Sequence, residues 1–401
     1  MTYDVAAVRA QFPALASGIA HFDGPGGTQT PRPVIDAIGS ALSSPLSNRG
    51  DGTPGERNAE AIVAESRQAL ADLLGADPAG IVFGRSATQL TYDFSRALSK
   101  GWKSGDEVVV TRLDHDSNVR PWIQAAERVG AVVRWVEFDP ATGELLPEHV
   151  RAALSERTRL VAITAASNLI GTQPDIPAIA RSVHEVGGLL YVDGVHHTAH
   201  ATVDLPALGA DFYVCSSYKF LGPHMGVLAA APALLETVWP DKLLPSTNVI
   251  PERFEFGTLP YELLAGARAA VDFLADLSPA GAGTRRERII ATYAALNDHE
   301  DVLRNRIEAG LAELESARVY SRAARRTPTL LVTFADRDTV DAYRFLAENK
   351  VHAPSGAFYA IEASRHLGLG DTGALRIGLA PYNDAEDVER LLGALTKFVY
   401  A

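Results

Sequence analysis

A single cysteine, Cys215, occurs among the 401 residues. No disulfide can form within the chain, and a reducing compartment, the cytoplasm, is the expected location. Apolar runs of about 20 residues, the length that a bilayer-spanning helix requires, are missing, so no membrane association is expected. The opening stretch MTYDVAAVRAQFPAL has no basic region followed by an apolar one, so it does not read as a signal peptide. Positive charge is also scarce. The 37 Lys and Arg residues face 49 Asp and Glu, for a formal net charge of -12, which argues against a nucleic-acid or anionic-membrane partner. There is no internal repeat, no P-loop and no GxGxxG, so the common nucleotide-binding loops are not expected. What remains is ordinary globular material, 47% hydrophobic and 21% charged. A chain of this length can bury a sizeable core from it unaided.

Periodicity organises the chain. Helical spacing covers 58–74, the LTYDFSRAL stretch, 121–130, 176–186, 263–277, 289–314, 339–349 and the tail from Asp384. Strand-like runs lie at 81–84, 107–111, 131–138, 159–165, 189–193, 212–216, 329–334 and 375–379. Runs such as VVV and LLYV are apolar at consecutive positions, as strands are when helices cover both faces of a mostly parallel sheet. Near residue 265 the alternation gives way to long helices and then an α+β pattern. The Ser278–Thr284 stretch SPAGAGT reads as a hinge.

Three segments suggest chemistry, because ligands of an open α/β sheet bind at the carboxyl ends of its strands. In SSYKFLGPHMG (216–226), Lys219 follows an apolar strand. It is either a surface lysine in a loop or an amine whose desolvation lowers its pKa and frees it to attack a carbonyl. In LLYVDGVHH (189–197), Asp193 ends an apolar strand, as a helix N-cap or as the partner of a buried cation. Pyridoxal 5′-phosphate (PLP) needs such a partner at its pyridine nitrogen. Ser86, Ala87 and Thr88 stand where a strand gives way to a helix, either as capping residues or as an anion-binding turn.

Together these segments resemble the class V aminotransferase family of fold-type I PLP enzymes, most closely its cysteine desulfurase-like branch, from about His21 to the C-terminus. The resemblance implies a large domain at 21–277 with a mostly parallel seven-stranded sheet. It also implies a smaller α+β domain at 278–401 and an N-terminal segment, 1–20, packed on the small domain. It implies a Schiff base between PLP and Lys219, with Ser216, Tyr218, Ala87 and Thr88 around the phosphate and Asp193 on the pyridine nitrogen. His115, in LDHDSNVRPW, matches the aromatic residue stacked on the ring, and Asn168, in ASNLIGTQPDI, the asparagine near the phenolic oxygen. Arg376, in ALRIGLAPYN, resembles the arginine that grips a substrate carboxylate, for which a guanidinium fork is suited; by itself it also reads as a strand-edge surface charge. RFEFGTLPYELLAG implies a homodimer with Thr258 reaching the partner's phosphate, and Asn48-Arg49-Gly50 falls where the family lines its substrate pocket.

Two departures bear on the reaction. Persulfide-forming desulfurases carry a mobile cysteine shortly before the carboxylate arginine; here HAPSGAFYA has none, and Tyr359 stands about where the thiol would be. Cys215, at a strand end, reads as a small core residue. The second is His196, where the family usually has a glutamine over the phenolic oxygen. His196 and His200, at i and i+4, raise a metal site, as do Asp114 and Asp116 around His115. No HExxH pattern or cysteine cluster accompanies them, and no metal is expected. The expected activity is PLP-dependent chemistry at the Cα of an amino acid, as a C–S lyase or an aminotransferase. The alternatives are an epimerase-like activity or a non-catalytic PLP-binding protein.

Overall fold

The structure is a computed structural model and describes residues 3–277 and 281–400. Of the expected hinge, residues 278–280 lie outside the described residues. Thirteen strands are described among them. β1 is Ala20–His21, β2 Ile81–Gly84, β3 Glu107–Thr111, β4 Val132–Val136, β5 Thr158–Thr164, β6 Leu189–Asp193, β7 Phe212–Ser216 and β8 Gly226–Ala230. β9 is Ala317–Val319, β10 Thr329–Phe334, β11 Val351–His352, β12 Ser355–Gly356 and β13 Ala374–Gly378.

The seven strands β2 to β8 form one sheet in the order β2-β8-β7-β6-β5-β3-β4. All neighbours run parallel except those of β8, which is antiparallel to both β2 and β7. The strands expected at 107–111, 189–193 and 212–216 keep those bounds. β8 and the helix Arg32–Ser43 had no sequence assignment; the small residues of GVLAA carry little periodic signal. β3 and β7 are buried along their whole length and β6 at all but Leu189, whereas β4, at the sheet edge, alternates exposed and half-buried positions before its buried last residue. One face of the sheet packs Phe83, Val109, Val161, Leu190 and Tyr213 against helices that include Pro54–Leu74 and Tyr261–Asp276. The other packs Val82, Val110, Tyr191 and Phe212 against Leu90, Phe94 and Trp122.

Local signals set the helix ends. Thr53 and Glu56 form a reciprocal capping box at the start of Pro54–Leu74, and Gly75 closes that helix in the left-handed conformation. Ser86 Oγ accepts the Gln89 N–H at 3.1 Å and so starts the helix Ala87–Ser99 directly after β2.

A four-stranded antiparallel sheet, β12-β13-β10-β9, stands beside the first. The 28-residue helix Arg285–Ala312 serves both cores. Ile289, Tyr293 and Leu296 pack with the large sheet, and Leu303, Ile307 and Leu311 with the small one. Near the N-terminus, Tyr3 donates to the Pro381 carbonyl at 2.7 Å and Arg9 pairs with Asp387 at 2.7 Å. β1 pairs in parallel with β11, placing His21 opposite His352.

Candidate active site

The carboxyl ends of β2, β3, β5, β6 and β7 deliver Ser86–Thr88, His115, Asn168, Asp193 and Ser216–Lys219 to one cavity of about 650 Å³. β13 of the small sheet adds Arg376, and the loop after β12 adds Phe358 and Tyr359. The site therefore lies between the two sheets.

Lys219 sits in the short turn after β7, buried, with its Nζ on the Pro25 carbonyl. Burial, reinforced by Arg376, pushes its ammonium down to about 7, and Asp193 only partly opposes this. Asp193 ends β6, held in register beside Thr164 of β5. One carboxylate oxygen accepts the Val195 N–H at 2.9 Å; the other takes no hydrogen bond from the described chain. Burial raises this carboxyl to about 6. A buried carboxylate with one bare oxygen in a cavity suits a cationic ring N–H.

His115 is fixed from below. Thr111 and Asn118 both donate to the buried Asp114 carboxylate, which pins the turn after β3. The His115 Nδ1 accepts the Ser117 N–H at 3.1 Å. Burial, then the charges of Lys219 and Arg376, push the imidazole down to about 4, so the ring is neutral at pH 7. Its outer face meets Tyr359, with ring centroids 5.4 Å apart and an interplanar angle of 30°.

The turn at Ala87 and Thr88 opens the 13-residue helix Ala87–Ser99, whose first N–H groups have no partner within the helix. Gly226 of β8 lies against it. A Cβ there would come within 2.3 Å of the Ser86 carbonyl carbon, so only glycine lets the sheet edge approach this turn.

Arg376 is fully buried and donates to the Asn168 carbonyl at 2.9 Å, while its Nε has no partner. Burial pulls the guanidinium down to about 9, against the opposing charge of Asp23. An unpaired buried cation lining a cavity is a receptor for an anion. This is a buried site, and the surface reading of Arg376 is set aside. Asn168 donates from Nδ2 to the Phe358 carbonyl at 2.9 Å, which leaves its Oδ1 buried without a partner.

Eleven of the residues expected from sequence line this cavity: Ala87, Thr88, His115, Asn168, Asp193, His196, Ser216, Tyr218, Lys219, Tyr359 and Arg376. Asn48, Arg49 and Thr258 lie outside it in the single chain. Arg49 is engaged with Glu60 at 2.8 Å and Glu252 at 3.1 Å, and Thr258 is exposed. Sequence reasoning missed Tyr92, Arg120, Phe358 and the Pro25–Gly26 turn. Only the last pair, inside the GPGG run, carried a local signal, since glycine and proline mark tight turns.

His196 and His200, which raised a metal site, and His197 between them are occupied separately. His196 Nε2 meets Thr327 and Thr329, His197 Nδ1 meets the Tyr213 hydroxyl at 2.9 Å, and His200 pairs with Glu300 at 3.0 Å. Among the described residues, one other group, His21, Asp23 and His352, brings ligand-type atoms within 4.8 Å of one another.

Comparison with known proteins agrees with this geometry. Residues 20–391 match the family model described as aminotransferase class-V. The chain is 31% identical over 397 residues to an uncharacterised protein of Mycobacterium tuberculosis, covering 98% of this chain and 99% of the other. It is 31% identical over 407 residues to a probable cysteine desulfurase of Pseudomonas aeruginosa, covering 97% of each. Among solved structures, the cysteine desulfurase CsdA of Escherichia coli superposes with a TM-score of 0.87 at 25% identity, over 100% of this chain and 99% of that one. The chain belongs to the class V aminotransferase family and is, with that family, a pyridoxal 5′-phosphate-dependent enzyme.

Proposed function

We propose that the chain acts at the Cα of an α-amino acid, as a C–S lyase or an aminotransferase, and carries no sulfur on itself. The observation that carries this reading is the convergence of Lys219, Asp193 and Arg376 on one cavity. A nucleophilic amine, a carboxylate for a ring cation and an unpaired guanidinium meet there. The donor set fits PLP. Asp193 would hold the ring nitrogen, His115 would cover one ring face, and Asn168 and His196 would stand near the phenolic oxygen. The Ala87–Thr88 turn with Ser216 and Tyr218 would hold the phosphate, and Lys219 the aldehyde carbon. When bound, the cofactor accepts the electron pair released at Cα.

The chain's own residues do the rest. Arg376 takes the substrate carboxylate and fixes which bond at Cα faces the reactive centre. Lys219, whose ammonium is lowered to about 7 and so supplies free amine near neutral pH, removes the Cα proton and returns one. Asp193 keeps the ring nitrogen protonated, and neutral His115 does not compete for that proton.

Desulfurase chemistry through an enzyme persulfide is disfavoured by two observations. Tyr359 occupies the loop after β12 that lines the cavity, and Cys215 is fully buried with its thiol pushed up to about 12 by burial. The same lone, buried cysteine supports a reducing, cytoplasmic setting; no described helix is long and apolar enough to cross a membrane. A homodimer is supported by the stretch that leads to Thr258. It leaves Trp239, Leu243, Leu244, Val249 and Phe256 exposed, an apolar surface that a partner would cover. In such a dimer Thr258, Asn48 and Arg49 of each copy would complete the other copy's site. A large unit at 21–277 and a small one at 278–401, with 1–20 on the small unit, fits the contacts of Tyr3 and Arg9.

The experiment is an absorption titration of PLP-loaded protein with a panel of amino acids, L-cysteine included, alongside product analysis. A visible band that responds to one class of amino acid, with pyruvate, ammonia or a keto acid released and no sulfur left on the protein, is the expected result. Protein that stays colourless with PLP, or that accumulates bound sulfur, overturns the reading.

A further inference from the structure

We propose that the Thr329 hydroxyl sets the tautomer of His196, so that the imidazole presents its Nδ1–H to the cavity. The inference rests on the reading of this cavity as a PLP site only for its consequence; the tautomer itself is a property of the chain.

His196 Nε2 lies 2.9 Å from Thr327 Oγ1 and 2.9 Å from Thr329 Oγ1. The two hydroxyls are not equivalent. Thr327 has a second outlet for its proton, the Gly171 carbonyl at 3.4 Å. Thr329 is fully buried, and its hydroxyl has no described partner except His196. If Nε2 carried the ring proton, the Thr329 O–H would be left with no acceptor. An unmet buried donor is the costlier arrangement. Thr329 therefore donates to a bare Nε2. Burial, then His200, Lys219, Arg376 and His197, hold the ring well below the ordinary imidazole range, so it is neutral and carries one proton. That proton is on Nδ1, which has no partner in the described chain and belongs to a ring that lines the cavity.

The charged and titratable groups facing His196 come from four elements. They are Lys219 after β7, Arg376 on β13, His197 and His200 on its own turn, and Glu300 of the long helix behind His200. None of them hydrogen-bonds either ring nitrogen of His196. Thr327 and Thr329 belong to β10 and its approach, so the small sheet decides which proton the large sheet's histidine shows to a cofactor. Beside the phenolic oxygen of a bound cofactor, an Nδ1–H would donate to that oxygen and favour its anionic form, so the pH at which the lysine-bound cofactor deprotonates would fall.

Thr329→Val removes the deciding hydroxyl with little change of shape. Nε2–H can then donate to Thr327, Thr327 to Gly171, and the ring flips to a bare Nδ1. The test has two readouts on Thr329→Val, Thr327→Val and Thr329→Ser. In histidine-labelled protein without cofactor, ¹⁵N shifts assigned by the loss of one signal pair in His196→Gln report the tautomer directly. The expected result is a protonated Nδ1 in the wild type, Thr327→Val and Thr329→Ser, and a protonated Nε2 in Thr329→Val. In PLP-loaded protein, the pH midpoint of the visible band should rise by about one unit in Thr329→Val, a tenfold change in proton affinity. It should stay put in the other two. A wild type with its proton on Nε2 overturns the proposal, as does a Thr329→Val protein whose nitrogen shifts match the wild type. Equal midpoint shifts in both valine variants overturn it too, since general loosening would move both. Wild-type protein that shows the Nδ1 tautomer but takes up no PLP supports the tautomer and defeats the cofactor reading instead.

Discussion

The guanidinium carbon of Arg376 lies 3.6 Å from the centroid of the Phe358 ring, so this buried cation, which faces the cavity from the small sheet, is roofed by an aromatic face. Phe358 and Tyr359 hold this position with consecutive left-handed backbones, φ 51° and 58°. Bulky residues rarely adopt that conformation, and where they do the surrounding structure has to hold them there. The Asn168 amide and the Asp116 N–H do so, binding the Phe358 and Tyr359 carbonyls at 2.9 and 2.7 Å.

The first prediction concerns this pair. Phe358→Ala should raise KM for an α-amino acid about tenfold and leave kcat nearly unchanged, since a desolvated cation–π contact and the exclusion of water are worth roughly 1–2 kcal/mol. Arg376→Ala should raise KM about a hundredfold, the cost of leaving a carboxylate without its buried partner, at least roughly 2–3 kcal/mol. Steady-state kinetics on the amino acid that shifts the visible band decides it. A fall in kcat with KM intact would place these residues on the reacting atoms instead of the carboxylate.

Lys219 should be nucleophilic at unusually low pH. Burial holds its ammonium down to about 7, so colour formation on adding PLP to cofactor-free protein should rise through pH 7 and level off by pH 8. An ordinary lysine would give a rate still climbing at pH 9. Lys219→Ala should take up no covalent cofactor and show no turnover.

Asp193 places function against stability. Its folded-state value, about 6, lies above the ordinary 3.8, so the fold favours the protonated form. The stability this gives is complete below about pH 4 and is lost as pH rises through 6. In cofactor-free protein at pH 7.5, Asp193→Asn should therefore be more stable than the wild type, by about 3 kcal/mol from 2.303RT per unit. The gain should shrink towards zero at pH 4. Thermal melts at both pH values test this, and an advantage of equal size at both would trace the gain to packing rather than charge.

Cys215 should be inert. A thiol at full burial, held up to about 12, should resist aromatic disulfide reagents in native protein and react fully after denaturation. Cys215→Ala should keep the activity of the wild type on every substrate. Loss of turnover with L-cysteine alone would mean that sulfur passes through this residue.

The strands at 107–111, 189–193, 212–216 and 329–334 could be read to the residue because each is built on a run of three or four consecutive apolar residues next to polar ones. Lys219, Asp193, His115 and Thr88 were legible for a related reason, since a polar group just past such a run is carried to the sheet's carboxyl edge. β8 escaped notice because Gly226–Ala230 is built of small residues. Phe358 escaped because nothing in HAPSGAFYA announces a left-handed turn beneath a guanidinium. The reading of Arg376 as a carboxylate receptor rests on resemblance. That it is buried and lacks a full set of partners depends on where β13 meets Asn168.

The local sequence determined which residues this protein could use and which end of the sheet they would reach. Strand and helix periodicities act over a few residues, and side-chain chemistry travels with them. Only the tertiary structure decided what those groups became. Burial depends on segments far away in the chain. Pro25 meets Lys219 across 194 positions, Asn168 meets Arg376 across 208 and Thr329 meets His196 across 133. The removal of water at the first two meetings is what lowers the lysine and the arginine, and at the third the Thr329 hydroxyl is what aims the histidine's proton.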